Sequence, residues 1–189
     1  MSRIRPVRPQ RTPIFVGCEG ASEAGYARWL GNCVRDRALP FHLEIYDLGR
    51  GAGDPFARID KAIDQLAHWE KHREPFSRKY IFLDTDQIAA NADRAEQARR
   101  LALENNFTVI WQDPTHEAFL LRHLPGCDTR QPPDKRTADA ALVREWAEYR
   151  KPSNAQQLER RLDLNGAIRA ARRLPELEDL LRMIGLWDR

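Results

Sequence analysis

Cysteine is scarce in this sequence, and its spacing excludes two common roles. Only Cys18, Cys33 and Cys127 are present, and they lie too far apart for a structural zinc motif or a disulfide-rich scaffold. Because free thiols are usual in the cytoplasm, we expect a cytoplasmic protein.

Long apolar segments are also missing. No run approaches the ~18 residues that a membrane-spanning helix needs, so we expect no contact with a membrane. The basic residues at the N-terminus are followed by no apolar segment, which argues against a secretory signal. The 189 residues, of which 42% are hydrophobic and 31% charged, suit one globular domain that folds without disulfides or metal.

Neither sign of charge dominates the sequence. The net charge of +3 comes from 31 basic and 28 acidic residues, which by itself does not indicate nucleic-acid binding. The distribution is more informative, because residues 1–12 form a predicted basic, flexible tail and arginine recurs near the C-terminus. Arg169, Arg172 and Arg173 share one predicted helix face, which is either a solvated surface or a contact for nucleic-acid phosphates.

Short apolar strands alternate with amphipathic helices over residues 13–130. Strands are predicted at 13–18, 41–46, 79–84 and 107–111, and helices follow them, with Ser22 and Asp54 as predicted caps of the first two. This alternation is typical of an α/β fold with a mostly parallel four-stranded sheet and helices on both faces. Residues 131–189 show helical patterns only, including one at 137–149 with Trp146 and Tyr149 on its apolar face. They are predicted to form a helical extension packed on the same domain.

Carboxylates follow three of the predicted strands. Glu19 comes after the first strand, Asp84 and Asp86 come after the third, and Glu117 follows the fourth. Because the carboxyl ends of parallel strands share one edge of the sheet, these acids should meet there. Crowded carboxylates repel each other unless a cation lies among them, and oxygen ligands favour Mg²⁺ or Mn²⁺.

Other candidate residues allow two interpretations each. The glycines of the loop at 49–55, Gly49, Gly51 and Gly53, either let the backbone approach a phosphate or form a plain turn. His116 and His123 are seven residues apart, so on a helix they would share one face. They are either phosphate ligands or proton shuttles, or partly exposed histidines with a structural role. Any single acid after a strand is also a common helix cap.

Several of these segments resemble one protein family. The sequence Cys18-Glu19-Gly20 with Ser22, Glu23 and Tyr26 resembles the opening CEGxxTExxY motif of the RloB family, whose members are encoded in restriction-linked and phage-defence loci. The glycine loop ending at Pro55, the Asp84-Thr85-Asp86 motif and the segment at 113–123 are similar to later motifs of that family. The resemblance covers residues 13–125. It departs from the family pattern at Ser22 (usually threonine), Asp113 (usually asparagine) and His116 (usually aromatic).

The resemblance implies a Toprim-like fold, as in topoisomerases, primases and OLD nucleases, with residues 13–130 as the catalytic domain. It implies that Glu19 is a general acid or base and that Asp84 and Asp86 hold Mg²⁺. Glu117 matches a family glutamate and is therefore expected to be catalytic, as an additional metal ligand or by orienting the nucleophile; the alternative is a purely structural partner of the helix dipole. The implied function is a Mg²⁺-dependent endonuclease that acts on DNA or RNA in phage defence, with an ATPase as a possible partner. The alternative is a non-catalytic Toprim-like module that binds nucleic acid or a partner.

Two unrelated folds with acidic strand ends fit less well. A phosphoacceptor receiver domain carries paired acids after its first strand and one aspartate after its third, which is the reverse of the order seen here. A haloacid-type phosphatase places its DxD after the first strand, where this sequence has Glu19.

Overall fold

A computed structural model of the chain describes residues 11–49, 54–86, 88 and 92–187. The strands are β1 (Thr12–Cys18), β2 (Phe41–Asp47), β3 (Lys79–Asp84) and β4 (Thr108–Gln112). The helices are α1 (Ala21–Asp36), α2 (Pro55–Glu70), α3 (Ala92–Glu104), α4 (His116–Leu121), α5 (Lys135–Glu145), α6 (Ala155–Glu159), α7 (Leu164–Ala171) and α8 (Pro175–Met183). β1 begins at Thr12, the last residue of the predicted tail, and residues 1–10 of that tail lie outside the described part.

The four strands form one parallel sheet in the order β2-β1-β3-β4. The chain moves outward from β1 to β2, then returns past β1 to β3 and continues to β4. Right-handed crossovers in opposite directions place α1 on one face of the sheet and α2 and α3 on the other. The α/β prediction is therefore confirmed, and the sheet is consistent with a Toprim-like fold. The reversal of strand order lies between β1 and β3, where ligands bind in sheets of this type.

The strands are apolar on both sides because both faces of the sheet are covered. Ile14, Val16 and Phe82 face a core shared with α1 and with α4 to α8. Phe15 and Ile81 face a second core under α2 and α3. Burial of one such side chain is worth roughly 1.5–3 kcal/mol, which explains why the strands read as continuous apolar runs.

The caps of the first two helices differ from each other. Asp54 caps α2 as predicted: its carboxylate accepts a hydrogen bond from the Ala57 N–H at 2.8 Å, and Pro55 follows at the first helical position. The prediction for Ser22 is wrong, since α1 already begins at Ala21 and Gly20 occupies the cap position. The Ser22 hydroxyl instead accepts from the Ser153 N–H at 3.2 Å.

The segment after α5 is a loop packed against the start of α1. The predicted helix over 137–149 ends early, at Glu145, so buried Trp146 and Tyr149 lie at its end and in the loop. A Cβ on Gly25 would lie only 2.3 Å from the Ser153 carbonyl oxygen, so only glycine allows this approach. The helices after residue 131 thus complete the core on the α1 face of the sheet.

Candidate active site

The ends of β1 and β3 bring two of the predicted acids into direct contact. These strands are neighbours, so the residues that follow them lie side by side. The Glu19 carboxylate accepts a hydrogen bond from the Asp84 backbone N–H at 2.8 Å through Oε2. This contact lies at the carboxyl edge of the sheet, as the sequence predicted, and the structure places it at the reversal of strand order.

Arg58 of α2 holds Glu19 from the other side. Its Nη2 lies 3.1 Å from Glu19 Oε1, and its Nη1 donates to the Glu19 carbonyl oxygen at 3.1 Å. Both Glu19 carboxylate oxygens therefore have partners. Burial raises the pKa of Glu19, although the Asp84 N–H and Arg58 act in the opposite direction. The Glu19 carboxylate is thus held in place by its partners, and it binds a proton more readily than an exposed glutamate does.

Asp84 is the least satisfied acid of the site. Its Oδ1 is buried and has no hydrogen-bond partner. Burial, followed by the carboxylates of Glu23, Glu19, Asp86 and Glu117, raises the pKa of Asp84 to about 9. Negative charge is therefore crowded at this point beyond what the described residues neutralise.

Asp86 lies at the more exposed side of the same cluster. Lys135, at the start of α5, places its Nζ 3.5 Å from Asp86 Oδ2. The Asp86 carboxylate is close enough to Asp84 to contribute to the raised pKa of Asp84. The two aspartates of the DxD segment are therefore neighbours at the edge of the sheet, and the helical extension supplies a cation beside them.

Glu117 lies in the first turn of α4 and is almost fully buried. It accepts hydrogen bonds from the Tyr149 hydroxyl at 3.0 Å and from Lys151 Nζ at 2.7 Å. Burial acts to raise the pKa of Glu117, but the hydrogen bond and charge of Lys151 outweigh it and lower the value. Glu117 is thus an ionised carboxylate paired with a lysine that the sequence did not single out.

His116 borders an open cleft of about 300 Å³ that is also lined by Glu23, Asp84, Glu117 and Lys151. The ring is buried and not partly exposed as predicted. Its Nδ1 lies 2.8 Å from the Gln112 amide nitrogen and 3.7 Å from Glu23 Oε1, while its buried Nε2 has no partner. Burial lowers the pKa of His116, so the ring is neutral.

His123 lies in the core, where it has a structural role instead of the predicted phosphate contact. Its Nε2 lies 2.9 Å from the Tyr26 hydroxyl, and its Nδ1 lies 2.9 Å from the Phe119 carbonyl oxygen. Both ring nitrogens are occupied, and burial lowers the pKa of His123 to about 3. A phosphate cannot reach this ring because only 1% of the residue is exposed.

At Gly49 the backbone of the glycine loop approaches the protein's own backbone and not, as predicted, a phosphate. A Cβ on Gly49 would lie 1.9 Å from the Glu19 carbonyl oxygen, so this glycine lets the loop pack against the site. Its N–H already donates to Asp47 Oδ1 at 2.9 Å and is not available to a phosphate. Gly51 and Gly53 lie outside the described residues.

The three C-terminal arginines do not act as one surface. Arg169 is half-buried, and its Nη2 donates to the His123 carbonyl oxygen at 2.7 Å, which joins α7 to the segment after α4. Arg172 and Arg173 follow at the end of α7 and are exposed. The predicted phosphate contact therefore remains an expectation for Arg172 and Arg173, whereas Arg169 has a structural partner.

A metal site built from protein ligands alone is not assembled in the described residues, because no three His, Cys, Asp or Glu side chains there are arranged to hold an ion. Glu19, predicted as a ligand, uses both carboxylate oxygens elsewhere. The residues still fit Mg²⁺ or Mn²⁺, since Asp84 Oδ1 has no partner and Asp86 lies beside it. Mg²⁺ usually keeps several waters and binds through one or two carboxylates plus substrate phosphates.

Arg58, Glu23 and Lys151 were not identified as functional residues from the sequence. A signal was available for Arg58, because it occupies a position on the buried stripe of α2 between Pro55 and Ile59. Glu23 is buried on α1 within the quoted opening motif. Lys151 had no local signal, since it reaches the cleft only through the packing of its loop on α1.

Comparisons with known proteins agree with the resemblance noted in the motifs. A family model described as "RloB-like protein" matches residues 14–181, which extends past the motif segment into α8. No curated protein and no solved structure matches the chain. In the part of the chain that the structure describes, no helix has the length and apolar character needed to cross a membrane.

Proposed function

The chain belongs to the RloB-like family, and we propose that it is a Toprim-like endonuclease, dependent on Mg²⁺ or Mn²⁺, that cleaves nucleic-acid phosphodiester bonds in antiviral defence. The observation that carries this proposal is Asp84, a buried acid with an unpartnered oxygen and a pKa raised to about 9 among neighbouring carboxylates. Such a group destabilises the fold, and a bound cation would reduce the repulsion among the carboxylates.

The chain's own residues have distinct tasks in this mechanism. Asp84 and Asp86 would hold the metal ion, which neutralises charge on the phosphate when bound. Glu19 carries a proton more readily than an exposed glutamate, so it would protonate the leaving oxygen as general acid. Arg58 contacts the Glu19 carboxylate through Nη2 and the Glu19 backbone carbonyl through Nη1, which reduces the reorganisation that proton transfer requires.

The remaining parts of the proposal concern the partners and the location of the protein. Nucleic acid is the proposed partner, with Arg172 and Arg173 as exposed cations that would contact its phosphates. An ATPase partner from the same defence system and a cytoplasmic location enter the proposal through the family resemblance and the cysteine usage alone.

The test is incubation of the purified chain with single- and double-stranded DNA, RNA and tRNA, with Mg²⁺, with Mn²⁺ or with EDTA. We expect metal-dependent cleavage of at least one of these substrates. Asp84→Asn and Glu19→Gln should remove it. Asp54→Asn is the matched control, because it makes the same chemical change at a carboxylate that caps a helix and asparagine also caps well. Cleavage that persists in EDTA would overturn the metal mechanism.

A second candidate is a non-catalytic module that binds nucleic acid or a partner. The contacts of Arg58 favour it, because Glu19 is held in an ion pair and, among the described residues, no three acids, histidines or cysteines are arranged to hold an ion. This function would give binding of an oligonucleotide with no turnover under any metal condition, and Glu19→Gln would leave that binding unchanged.

A further inference from the structure

Lys151 reaches the candidate site from a part of the chain outside the motifs. It lies in the loop between α5 and α6, and its Nζ is 2.7 Å from Glu117 Oε1 and 3.1 Å from Asp139 Oδ1. It lines the same cleft as Asp84 and His116.

The backbone around Lys151 is fixed against the opening motif. The Ser153 N–H donates to the Ser22 hydroxyl at 3.2 Å, and the Ser153 carbonyl lies against Gly25, where a Cβ would come within 2.3 Å. Ser22 and Gly25 belong to the first turns of α1, directly after Glu19. The position of Lys151 is therefore set by the same helix that begins at the site.

Acids predominate among the residues that line the cleft, so an incoming phosphate needs a cation beside it. Among the described residues that line it, Glu23, Asp84 and Glu117 are acids, His116 is buried with a lowered pKa, and Lys151 alone has a permanent positive charge. A phosphodiester is anionic and would be repelled by these acids. A lysine at the rim offsets this repulsion.

The geometry of Lys151 leaves capacity for a further ligand. An ammonium has three N–H donors, and Glu117 and Asp139 account for two contacts. The Lys151 side chain is 43% exposed, whereas Glu117 is 3% exposed, so the lysine can turn toward solvent and the glutamate cannot. Two residues that line the cleft, Asp84 and His116, each have a buried polar atom without a hydrogen-bond partner, Oδ1 and Nε2.

We propose that Lys151 is a substrate-binding residue whose ammonium keeps its contact with Glu117 and donates its remaining N–H to a non-bridging oxygen of the bound phosphodiester. This inference rests on the proposed function, since it assumes that nucleic acid enters the cleft. It also assigns a role to Glu117, which holds the lysine in place as a positioning residue and need not touch the metal.

The test measures binding and does not depend on turnover. Fluorescein-labelled 20-nucleotide single-stranded DNA, single-stranded RNA and duplex DNA are titrated with the Asp84→Asn chain at several salt concentrations. Each phosphate contact adds roughly 0.7–0.9 to the slope of log affinity against log salt. Lys151→Gln should lower the slope by about that amount and Lys151→Arg should preserve it. Lys71→Gln should leave it unchanged, because Lys71 is an exposed lysine after α2, at the opposite edge of the sheet.

A second comparison separates the phosphate contact from the ion pair with Glu117. Lys151→Gln leaves a buried carboxylate without its cation and will lower the melting temperature. The Glu117→Gln chain is therefore compared with the Glu117→Gln/Lys151→Gln chain, where no such charge remains. A slope difference of about one contact in both backgrounds supports the inference.

Two outcomes would overturn the inference about Lys151, and the experiment distinguishes them. Binding with an unchanged slope after Lys151→Gln would show that the lysine only neutralises Glu117, and the proposed function would stand. Failure of the parent chain to bind any of the three oligonucleotides would remove the proposed function and this inference together.

Discussion

Two aspartates show how differently this fold treats acids that follow a strand or loop. Asp54 accepts hydrogen bonds from the Ala57 N–H and from Arg94 Nε, both at 2.8 Å. Its slight burial acts to raise its pKa, but these donors outweigh that effect and the pKa is lowered. Asp84 has a buried oxygen with no donor, and its pKa rises to about 9. The supply of donors therefore separates a structural cap from a candidate site.

The largest expected effect is the loss of activity in Asp84→Asn. If Asp84 holds the metal, cleavage should fall at least ~1000-fold, because charge stabilisation at the phosphate is removed. Without metal, the same change should raise the free energy of unfolding at pH 7 by about 1–3 kcal/mol, since folding no longer requires an ionised aspartate to take up a proton. The measurements are single-turnover cleavage and thermal melting. A variant that loses stability as well as activity would indicate that Asp84 is structural, like Asp54.

The next effect is the pH dependence of stability in the chain without metal. The folded pKa of Asp84, about 9, lies above the ~3.9 of an unfolded aspartate, so its contribution to stability is full below pH ~4 and is lost as pH rises toward 9. Between pH 5 and 9 the wild type should lose up to ~3 kcal/mol relative to Asp84→Asn, allowing for the partly open cleft.

Melting in EDTA across this pH range measures that difference. Mg²⁺ should restore stability most at high pH, because metal ligands must be ionised. Two parallel pH curves would contradict the raised pKa. The raised pKa of Glu19 acts in the same direction but is present in both chains, so it cancels in the comparison.

A smaller effect is expected at the contrasting aspartate. Asp54→Ala removes the cap of α2 and the contact with Arg94, and should lower the free energy of unfolding by about 1 kcal/mol. The rate of cleavage per folded molecule should be unchanged. Denaturant unfolding and cleavage assays check both parts, and a large loss of turnover would show that the two aspartates are functionally linked.

The smallest effect on stability is expected at the end of α7. Arg172→Gln/Arg173→Gln should change the melting temperature little, because both residues are exposed. It should reduce the salt dependence of nucleic-acid binding if the two cations contact phosphates. Arg169→Gln is the contrast, since it should lower the melting temperature by removing the contact with the His123 carbonyl. An unchanged salt slope in the double variant would assign Arg172 and Arg173 to a solvated surface.

The sheet could be predicted from the sequence because its strands are buried on both faces and therefore read as apolar runs. The third strand, at 79–84, has the predicted bounds. The meeting of Glu19 with Asp84 followed from the general rule that carboxyl ends of parallel strands share one edge, whereas the order of the strands comes from the structure. The end of α5 could not be predicted, because Trp146 and Tyr149 are apolar at helical spacing in either conformation and their burial comes from tertiary packing.

The histidines illustrate the same limit within the site. Their seven-residue spacing placed His116 and His123 on one helix face, but α4 ends at Leu121, so His123 lies beyond it. The partners that decide their roles come from α1, far away in the sequence: Glu23 lies beside His116, and Tyr26 lies beside His123. Lys151 was missed for this reason too, since its role depends on a loop docked on α1 and not on any local pattern.

The docking of the late helices on the α1 face has a consequence for synthesis on the ribosome. All four strands are translated before residue 113, yet the apolar side of β1 and β3 that faces α1 is completed by Leu142, Leu158 and Leu180. A sheet that forms early therefore has this face covered only in part by α1 while the last third of the chain is made, which is a state that exposes it to aggregation and chaperone binding. A shortened chain that stops at residue 130 would keep this state permanently.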